Sequence, residues 1–173
     1  YVPEAASHLE PAERGRLDVT HQARESDRRL VQRNWAELGV SARVAPFFED
    51  MAGTLAAADL VIARAGAATI AELAAAGRPA VLVPLPGARD DHQTANARRA
   101  HATGGAWLMP ERDLTAAALA DHLSAALADP ASLTAAGEAI RGLARLDAAE
   151  RLADLVTRVA GLTGAGETGE TLA

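Results

Sequence analysis

Short, continuous apolar runs alternate with helical segments across the first two thirds of this 173-residue chain. The runs predict strands at residues 17–21, 42–47, 60–63, 80–83 and 106–109. A strand that is apolar throughout, rather than at every second residue, has both faces covered, which is typical of parallel sheets. The alternation therefore predicts a doubly wound α/β fold, in which helices cover both faces of a parallel sheet.

The predicted helices occupy residues 27–38, 50–58, 68–76, 91–103, 115–128, 131–143 and 148–162. Residues 2–9 have the pattern of a helix that Pro11 stops, and residues 10–16 are predicted to be a loop. Apolar residues make up 49% of the chain and aromatic residues only 3%, so the core is expected to consist of Ala, Leu and Val. One domain is predicted over residues 1–162, and the Gly-, Thr- and Glu-rich residues 163–173 are expected to be disordered.

Charge and composition exclude several classes of function. The net charge is −6, and the scattered arginines have almost no aromatic neighbours, which argues against a nucleic-acid partner. The chain has no cysteine, so disulfides and thiolate metal sites are excluded. It contains no apolar stretch long enough to cross a bilayer and no signal peptide. It begins at Tyr1 with a helix that no strand precedes, and we therefore expect it to be a piece of a longer protein.

The stretch from Ala58 to Glu72 has the pattern of a phosphate-binding turn. A strand runs into a cation, Arg64, and a turn of small residues then opens a helix. Free N–H groups and the positive end of the helix dipole at such a turn suit a phosphate or a diphosphate. The turn residues are Gly66, Ala67, Ala68 and Thr69. We expect Arg64 to face phosphate and Glu72 to face sugar hydroxyls, as in a site for a nucleoside diphosphate.

A second interpretation of Thr69 and Glu72 is structural. Thr-x-x-Glu is also the pattern of a capping box, in which Glu72 would bond to the backbone N–H of Thr69 and bind nothing else. From spacing alone the capping box is the favoured interpretation, and the ordinary role for the preceding turn is a simple strand-to-helix connection.

Two further loops follow strands and are expected at the same edge of the sheet. His92 and Gln93 open a helix after a Pro- and Gly-containing loop, where the glutamine amide suits neighbouring sugar hydroxyls. The alternative is that Asp90 or Asp91 caps this helix, and these aspartates with one histidine are too weak a ligand set for a metal.

The second predicted strand ends in two phenylalanines. Phe47 is expected in the core, and Phe48 beside a base, with its backbone N–H and C=O free for a pyrimidine edge. His21 and Gln22 end the first strand and are expected to support the site or the fold rather than to act in catalysis.

In this order the motifs resemble the C-terminal half of the MurG family of bacterial glycosyltransferases, over about residues 21–161. The matching segments are Phe47-Phe48, residues 58–72, Gly77 with Pro79, Val83-Pro84, and Asp91-His92-Gln93 with Asn96. The resemblance implies a GT-B architecture, whose C-terminal domain is a Rossmann-like, doubly wound parallel sheet, here lacking its first strand. It implies transfer of N-acetylglucosamine (GlcNAc) from UDP-GlcNAc to lipid I, which gives lipid II in peptidoglycan synthesis.

The resemblance also implies the roles of individual residues. Phe48 would meet uracil through its backbone, and Glu72 would hold the ribose diol, which reverses the preference for a capping box. Gln93, with His92, would read the GlcNAc hydroxyls. The diphosphate would lie against Gly66, Ala67, Ala68 and Thr69, with Arg64 stabilising the leaving group. No cofactor is implied, and the chain has no Asp-x-Asp sequence, in agreement with a donor site that needs no metal.

The family's N-terminal half is expected to lie outside this chain. That half carries the glycine-rich loops, the lipid I site, the membrane contact at the cytoplasmic face of the inner membrane and the expected base. No catalytic residue is therefore expected here, and the chain alone is expected not to turn over. Ala65 stands where relatives often carry a hydroxyl or thiol, so one contact is expected to be lost. The rival interpretations are a non-catalytic donor-binding subunit of a split enzyme and another GT-B enzyme that uses UDP-GlcNAc.

Overall fold

The structure is a computed structural model that describes residues 1–161. The strands are β1 (Asp18–Gln22), β2 (Ser41–Ala45), β3 (Val61–Ala63), β4 (Ala80–Leu82) and β5 (Ala106–Leu108). The helices are α1 (Val2–Ser7), α2 (Pro11–Arg14), α3 (Glu25–Glu37), α4 (Met51–Ala57), α5 (Ala67–Ala76), α6 (His92–Ala102), α7 (Ala116–Ala128), α8 (Pro130–Arg141) and α9 (Ala148–Val159). The predicted strands and helices are thus present, and the predicted disordered tail lies outside the described residues.

Helix α2 lies in the segment that the sequence predicted to be a loop. Pro11 does not stop a helix here but begins one, because proline at the first helical position loses no hydrogen bond. The helix is fixed by a capping box, in which the Glu10 N–H donates to Glu13 Oε2 at 2.9 Å. Ser124 of α7 donates to the other carboxylate oxygen of Glu13, and this bond is the main cause that lowers the pKa of Glu13.

All strand pairs are parallel, but the pairing is divided between two sheets. One sheet consists of β1 and β2, and the other has the order β3-β4-β5. Within residues 1–161, no strand pairing joins β1 to β3. The parallel α/β class is therefore confirmed, but the strands form two sheets instead of the single sheet that was predicted.

Strand β4 shows why the class is doubly wound. Ala80 and Leu82 are completely buried in a core cluster with residues of α5, α6 and α8. Val81 points to the opposite face, where it packs with Leu119 of α7 and Ala5 of α1. Because side chains alternate across a strand, an apolar run of this kind needs cover on both faces, and it has it.

Helix α1 connects the two sheets by packing. Ala5 belongs to the cluster beside β4, while its neighbour Ala6 packs with Trp35 and Val44 beside β2. Both alanines are completely buried, so their small side chains allow close approach of the helix to each sheet. Among residues 1–161, no helix is long and apolar enough to cross a membrane.

His21 and Trp35 form the structural contact that anchors α3 to β1. Trp35 is almost completely buried, and its Nε1–H donates to His21 Nδ1 at 3.2 Å. Burial, with the nearby positive amino terminus, lowers the pKa of His21. Gln22 beside it donates to the Pro46 carbonyl at 3.1 Å. Both side chains thus make structural contacts, which agrees with a supporting rather than a catalytic role.

Acidification is expected to destabilise the chain through His21. A lowered pKa means that the folded state favours the neutral ring, so this stability is present above the unfolded pKa of about 6.5 and is lost as pH falls through the folded pKa. Protonation would also turn Nδ1 from an acceptor into a donor that faces the Trp35 N–H. Melting temperatures, followed by tryptophan fluorescence between about pH 7 and pH 5, should fall more steeply than in His21→Gln. Parallel profiles would contradict this assignment.

Candidate functional site

The candidate site lies at the carboxyl ends of β3, β4 and β5. Hydrogen bonds bring the loops after these strands together. Asn96 Nδ2 of α6 donates to the Ala65 carbonyl at 3.0 Å, and Gln93 Oε1 accepts from the Leu85 N–H at 3.0 Å. Arg64, after β3, reaches the Val83 carbonyl at the end of β4 at 3.4 Å. The turn after β3, the loop after β4 and the start of α6 are thus one assembly, as the sequence predicted.

The turn after β3 presents free backbone donors. Gly66 is the N-cap of α5, no side chain caps the helix, and the first helical bond runs from the Ile70 N–H to the Gly66 carbonyl. The backbone N–H groups of Ala67, Ala68 and Thr69 precede that bond and have no acceptor within residues 1–161. Ala67 and Ala68 are exposed and have small side chains, so an anion has access to these donors.

The predicted capping box at Thr69 and Glu72 is absent. Because Gly66, in an extended conformation (φ −63°, ψ 151°), is the N-cap, Thr69 is already the third helical residue. Glu72 is the sixth, in the second turn rather than the first, and its side chain is exposed. Within the described part of the chain, no hydrogen bond of Glu72 serves the helix start, so its carboxylate remains an unused acceptor.

Arg64 lies across the ends of the three-stranded sheet. Its Nη1 contacts Glu111 Oε2 at 2.5 Å and the Pro84 carbonyl at 3.2 Å. Glu111 could not be predicted from the sequence, because it is 47 residues away and comes near Arg64 only through the order of the strands in the sheet. The position of Arg64 at the predicted edge is as expected, but the cation has a carboxylate partner already.

The start of α6 presents one amide group. Gln93 uses its oxygen to hold the loop at Leu85, and its NH₂ group has no partner within residues 1–161. His92 is the first helical residue and is exposed. Asp91 is the N-cap in the left-handed conformation (φ 51°), but its side chain makes no capping bond. The Asp91 carboxylate therefore does not cap this helix.

The turn after β2 differs from the prediction in the direction of its two rings. Phe47 is 68% exposed, so its assignment to the core is wrong, while Phe48 is 8% exposed. The Arg43 Cζ lies 4.7 Å from the centroid of the Phe48 ring, and the ring faces the protein. Strand β2 ends at Ala45, before the predicted end, and the changed direction of the chain puts the second ring inside. The backbone N–H and C=O of Phe48 have no partner within residues 1–161.

Ala65 lies between the site and the core. It is completely buried in the cluster with Leu73, so its side chain faces the interior rather than the site. Its carbonyl is the acceptor for Asn96, a role that the sequence did not predict for either residue. Among residues 1–161, no three His, Asp or Glu side chains are grouped so as to hold a metal ion.

Removal of the Asn96 amide is expected to loosen the turn after β3. Asn96→Ala would leave the buried Ala65 carbonyl unpaired, which costs about 1–3 kcal/mol. Asn96→Asp should be at least as harmful, because a carboxylate is an acceptor only. Denaturant unfolding would measure the loss, with Arg98→Ala on the exposed side of α6 as the control. Equal stability of Asn96→Ala and the control would contradict the assignment.

Comparison with known proteins gives a consistent result. Residues 1–152 match the sequence profile described as the glycosyltransferase family 28 C-terminal domain. A relative from Rhodospirillum centenum is 51% identical over 161 residues, covering 93% of this chain and 42% of the relative. One from Bradyrhizobium diazoefficiens is 50% identical, covering 93% and 44%. Both are named UDP-N-acetylglucosamine–N-acetylmuramyl-(pentapeptide) pyrophosphoryl-undecaprenol N-acetylglucosamine transferase. The chain thus spans less than half the length of these relatives.

Solved structures agree with the sequence comparison. The crystal structure of Acinetobacter baumannii MurG matches 90% of this chain and 44% of its own, at a TM-score of 0.81 and 36% identity. The glycosyltransferase VinC, solved in complex with dTDP, shares the fold at a TM-score of 0.65 and 24% identity.

Proposed function

Since this chain belongs to the glycosyltransferase family 28 C-terminal domain family, we propose that it is the donor-binding half of a MurG-type enzyme. The donor is UDP-GlcNAc, and the whole enzyme transfers GlcNAc to the lipid-linked acceptor lipid I at the cytoplasmic face of the membrane. The acceptor site and the base belong to the N-terminal half of such an enzyme. The names of the relatives, and the share of less than half of each that this chain covers, support its assignment to one half of such an enzyme.

The observation that carries the proposal is the start of α5. The unused amides of Ala67, Ala68 and Thr69 lie in sequence between the cation Arg64 and the acceptor Glu72. A diphosphate accepts hydrogen bonds from the amides, and one turn further along the helix the Glu72 carboxylate accepts from both hydroxyls of a ribose.

Groups that complement the remaining parts of the donor lie in the turn after β2 and at the start of α6. The Phe48 carbonyl accepts from the uracil N3–H, and its N–H donates to a uracil oxygen, which reads the base through the backbone. The free NH₂ of Gln93 donates to a GlcNAc hydroxyl, with His92 beside it on the first turn of α6.

In the proposed reaction the C4 hydroxyl oxygen of the acceptor attacks C1 of GlcNAc from the face opposite UDP. The bond from C1 to the β-phosphate oxygen breaks, the electron pair leaves with UDP, and the configuration at C1 inverts. The hydroxyl proton passes to the base in the N-terminal half. Negative charge that develops on the β-phosphate is stabilised by the preorganised amides at the start of α5 and by Arg64.

The proposal is tested with a hybrid enzyme. The matching half of the Rhodospirillum centenum relative is replaced by residues 1–161 of this chain, and transfer to lipid I is measured with UDP-GlcNAc and UDP-glucose. Transfer from UDP-GlcNAc by the hybrid, and none by the chain alone, is expected. A folded hybrid that uses both donors equally would contradict the proposed donor. Equal binding of UDP and GDP would contradict reading of uracil by Phe48.

A further inference from the structure

We propose that Glu111 is a positioning residue that aims Arg64 at the diphosphate of the donor, an inference that rests on the proposed function. Arg64 follows β3 and Glu111 follows β5, with β4 between them. Their contact therefore spans the carboxyl edge of the three-stranded sheet at which the free amides of α5 lie.

The geometry of the guanidinium separates a holding side from an open side. Within residues 1–161, the hydrogen bonds of the Arg64 side chain all involve Nη1, which lies 2.5 Å from Glu111 Oε2 and 3.4 Å and 3.2 Å from the carbonyl oxygens of Val83 and Pro84. A guanidinium carries five N–H donors on three nitrogens. Within residues 1–161, Nη2 and Nε have no acceptor, so one side is held and the donors on the other side remain for a ligand.

The exposure of the pair fits a site rather than a core contact. The side chains of Arg64 and Glu111 are 47% and 36% exposed. A partly exposed ion pair contributes little to folding. Its main effect is on the arginine itself, because a long flexible side chain that is already fixed loses less freedom when it binds an anion.

The alternative role for Glu111 is competition with phosphate for Arg64, which predicts the opposite change in affinity for a diphosphate. If the carboxylate competed with phosphate for Arg64, its removal would strengthen binding of diphosphate. The two backbone carbonyls argue for holding, because Glu111 contacts the same nitrogen, Nη1, that the backbone already fixes at the end of β4 and leaves Nη2 and Nε open. We therefore expect neutralisation of Glu111 to weaken binding.

The experiment is calorimetric titration of the 173-residue chain with UDP and with UMP, which lacks the second phosphate. Glu111→Gln and Glu111→Ala should weaken binding of UDP about three- to tenfold and leave that of UMP nearly unchanged. Glu111→Asp should restore part of the loss. In the background Arg64→Ala, Glu111→Gln should have no further effect, because Glu111 acts through the arginine.

The control is Asp113→Asn, which removes a carboxylate from the same segment. Asp113 Oδ2 lies 3.6 Å from Arg112 Nε and is thus paired with Arg112 rather than with Arg64. The titrations of this variant should match those of the original chain. Unchanged or stronger UDP binding by Glu111→Gln would overturn the inference alone, as would an equal loss for UDP and UMP. Failure of the original chain to bind UDP would overturn both the inference and the proposed function.

Discussion

Glu72→Gln is expected to weaken binding of UDP about 10- to 100-fold while the melting temperature stays nearly constant. The carboxylate is exposed in the second turn of α5 and takes no part in the helix start. Two hydrogen bonds from a ribose diol to a charged acceptor are each worth about 1.5–3 kcal/mol, so even partial loss corresponds to this range. Glutamine keeps the size of the side chain and replaces one acceptor oxygen by a donor.

The ribose assignment has a specific test in the ligand. UDP and 2′,3′-dideoxy-UDP would be titrated into the original chain and into Glu72→Gln. The substitution should reduce the affinity for UDP and leave that for the dideoxy compound unchanged. Glu138→Gln, an exposed glutamate on α8, is the matched control. If Glu72→Gln instead lowers the melting temperature and spares UDP binding, Glu72 is structural after all.

Gly105→Ala is expected to destabilise the chain, whereas Gly15→Ala is not. A Cβ at Gly105 would lie 2.5 Å from Ile140 Cβ and 2.6 Å from its backbone nitrogen, in helix α8. Ile140 is completely buried, so helix α8 would have to move. Such overpacking costs about 1–3 kcal/mol, or about 2–12 °C in melting temperature for a chain of this size.

Gly15→Ala is the matched control for this substitution. The nearest atoms to its added Cβ are backbone oxygens at 3.5 Å and 3.7 Å, which is ordinary contact. Gly15 has right-handed helical angles (φ −63°, ψ −13°), which alanine adopts without strain. We expect the control to be neutral or stabilising by up to about 1 kcal/mol. If the two variants melt alike, α8 does not pack against Gly105 as closely as the structure shows.

The sequence was sufficient to predict elements that appear as a continuous run of apolar residues. Strand β4 is a run of apolar residues between Pro79 and Pro84, and its position follows from that run alone. The edge at which the loops meet follows equally, because parallel strands place their carboxyl ends together. The sequence therefore predicts Arg64, Gln93 and the turn at Gly66 at one site.

The sequence could not decide which single residue caps a helix, which of two rings is buried or which residues pair over long distances. Thr69 and Gly66 both suit an N-cap. The structure uses Gly66, in an extended conformation, and this moves Glu72 out of a capping box. At Phe47 and Phe48, a shift of the strand end by two residues decides which ring is buried. The partnership of Arg64 and Glu111 depends on the order of strands, which local patterns do not contain.

The division of the strands into two sheets affects how the chain opens. Hydrogen-bonded ladders hold β1 to β2 and β3 to β4 and β5, but among residues 1–161 no ladder crosses from one group to the other. The groups are joined through side-chain packing on α1, where Val2 contacts the clusters on both sides. Separation at this seam breaks no strand pairing, so the sheet of β1 and β2 can unfold as a cooperative unit of its own. Its amide protons are then expected to exchange with solvent while those of β4 remain protected.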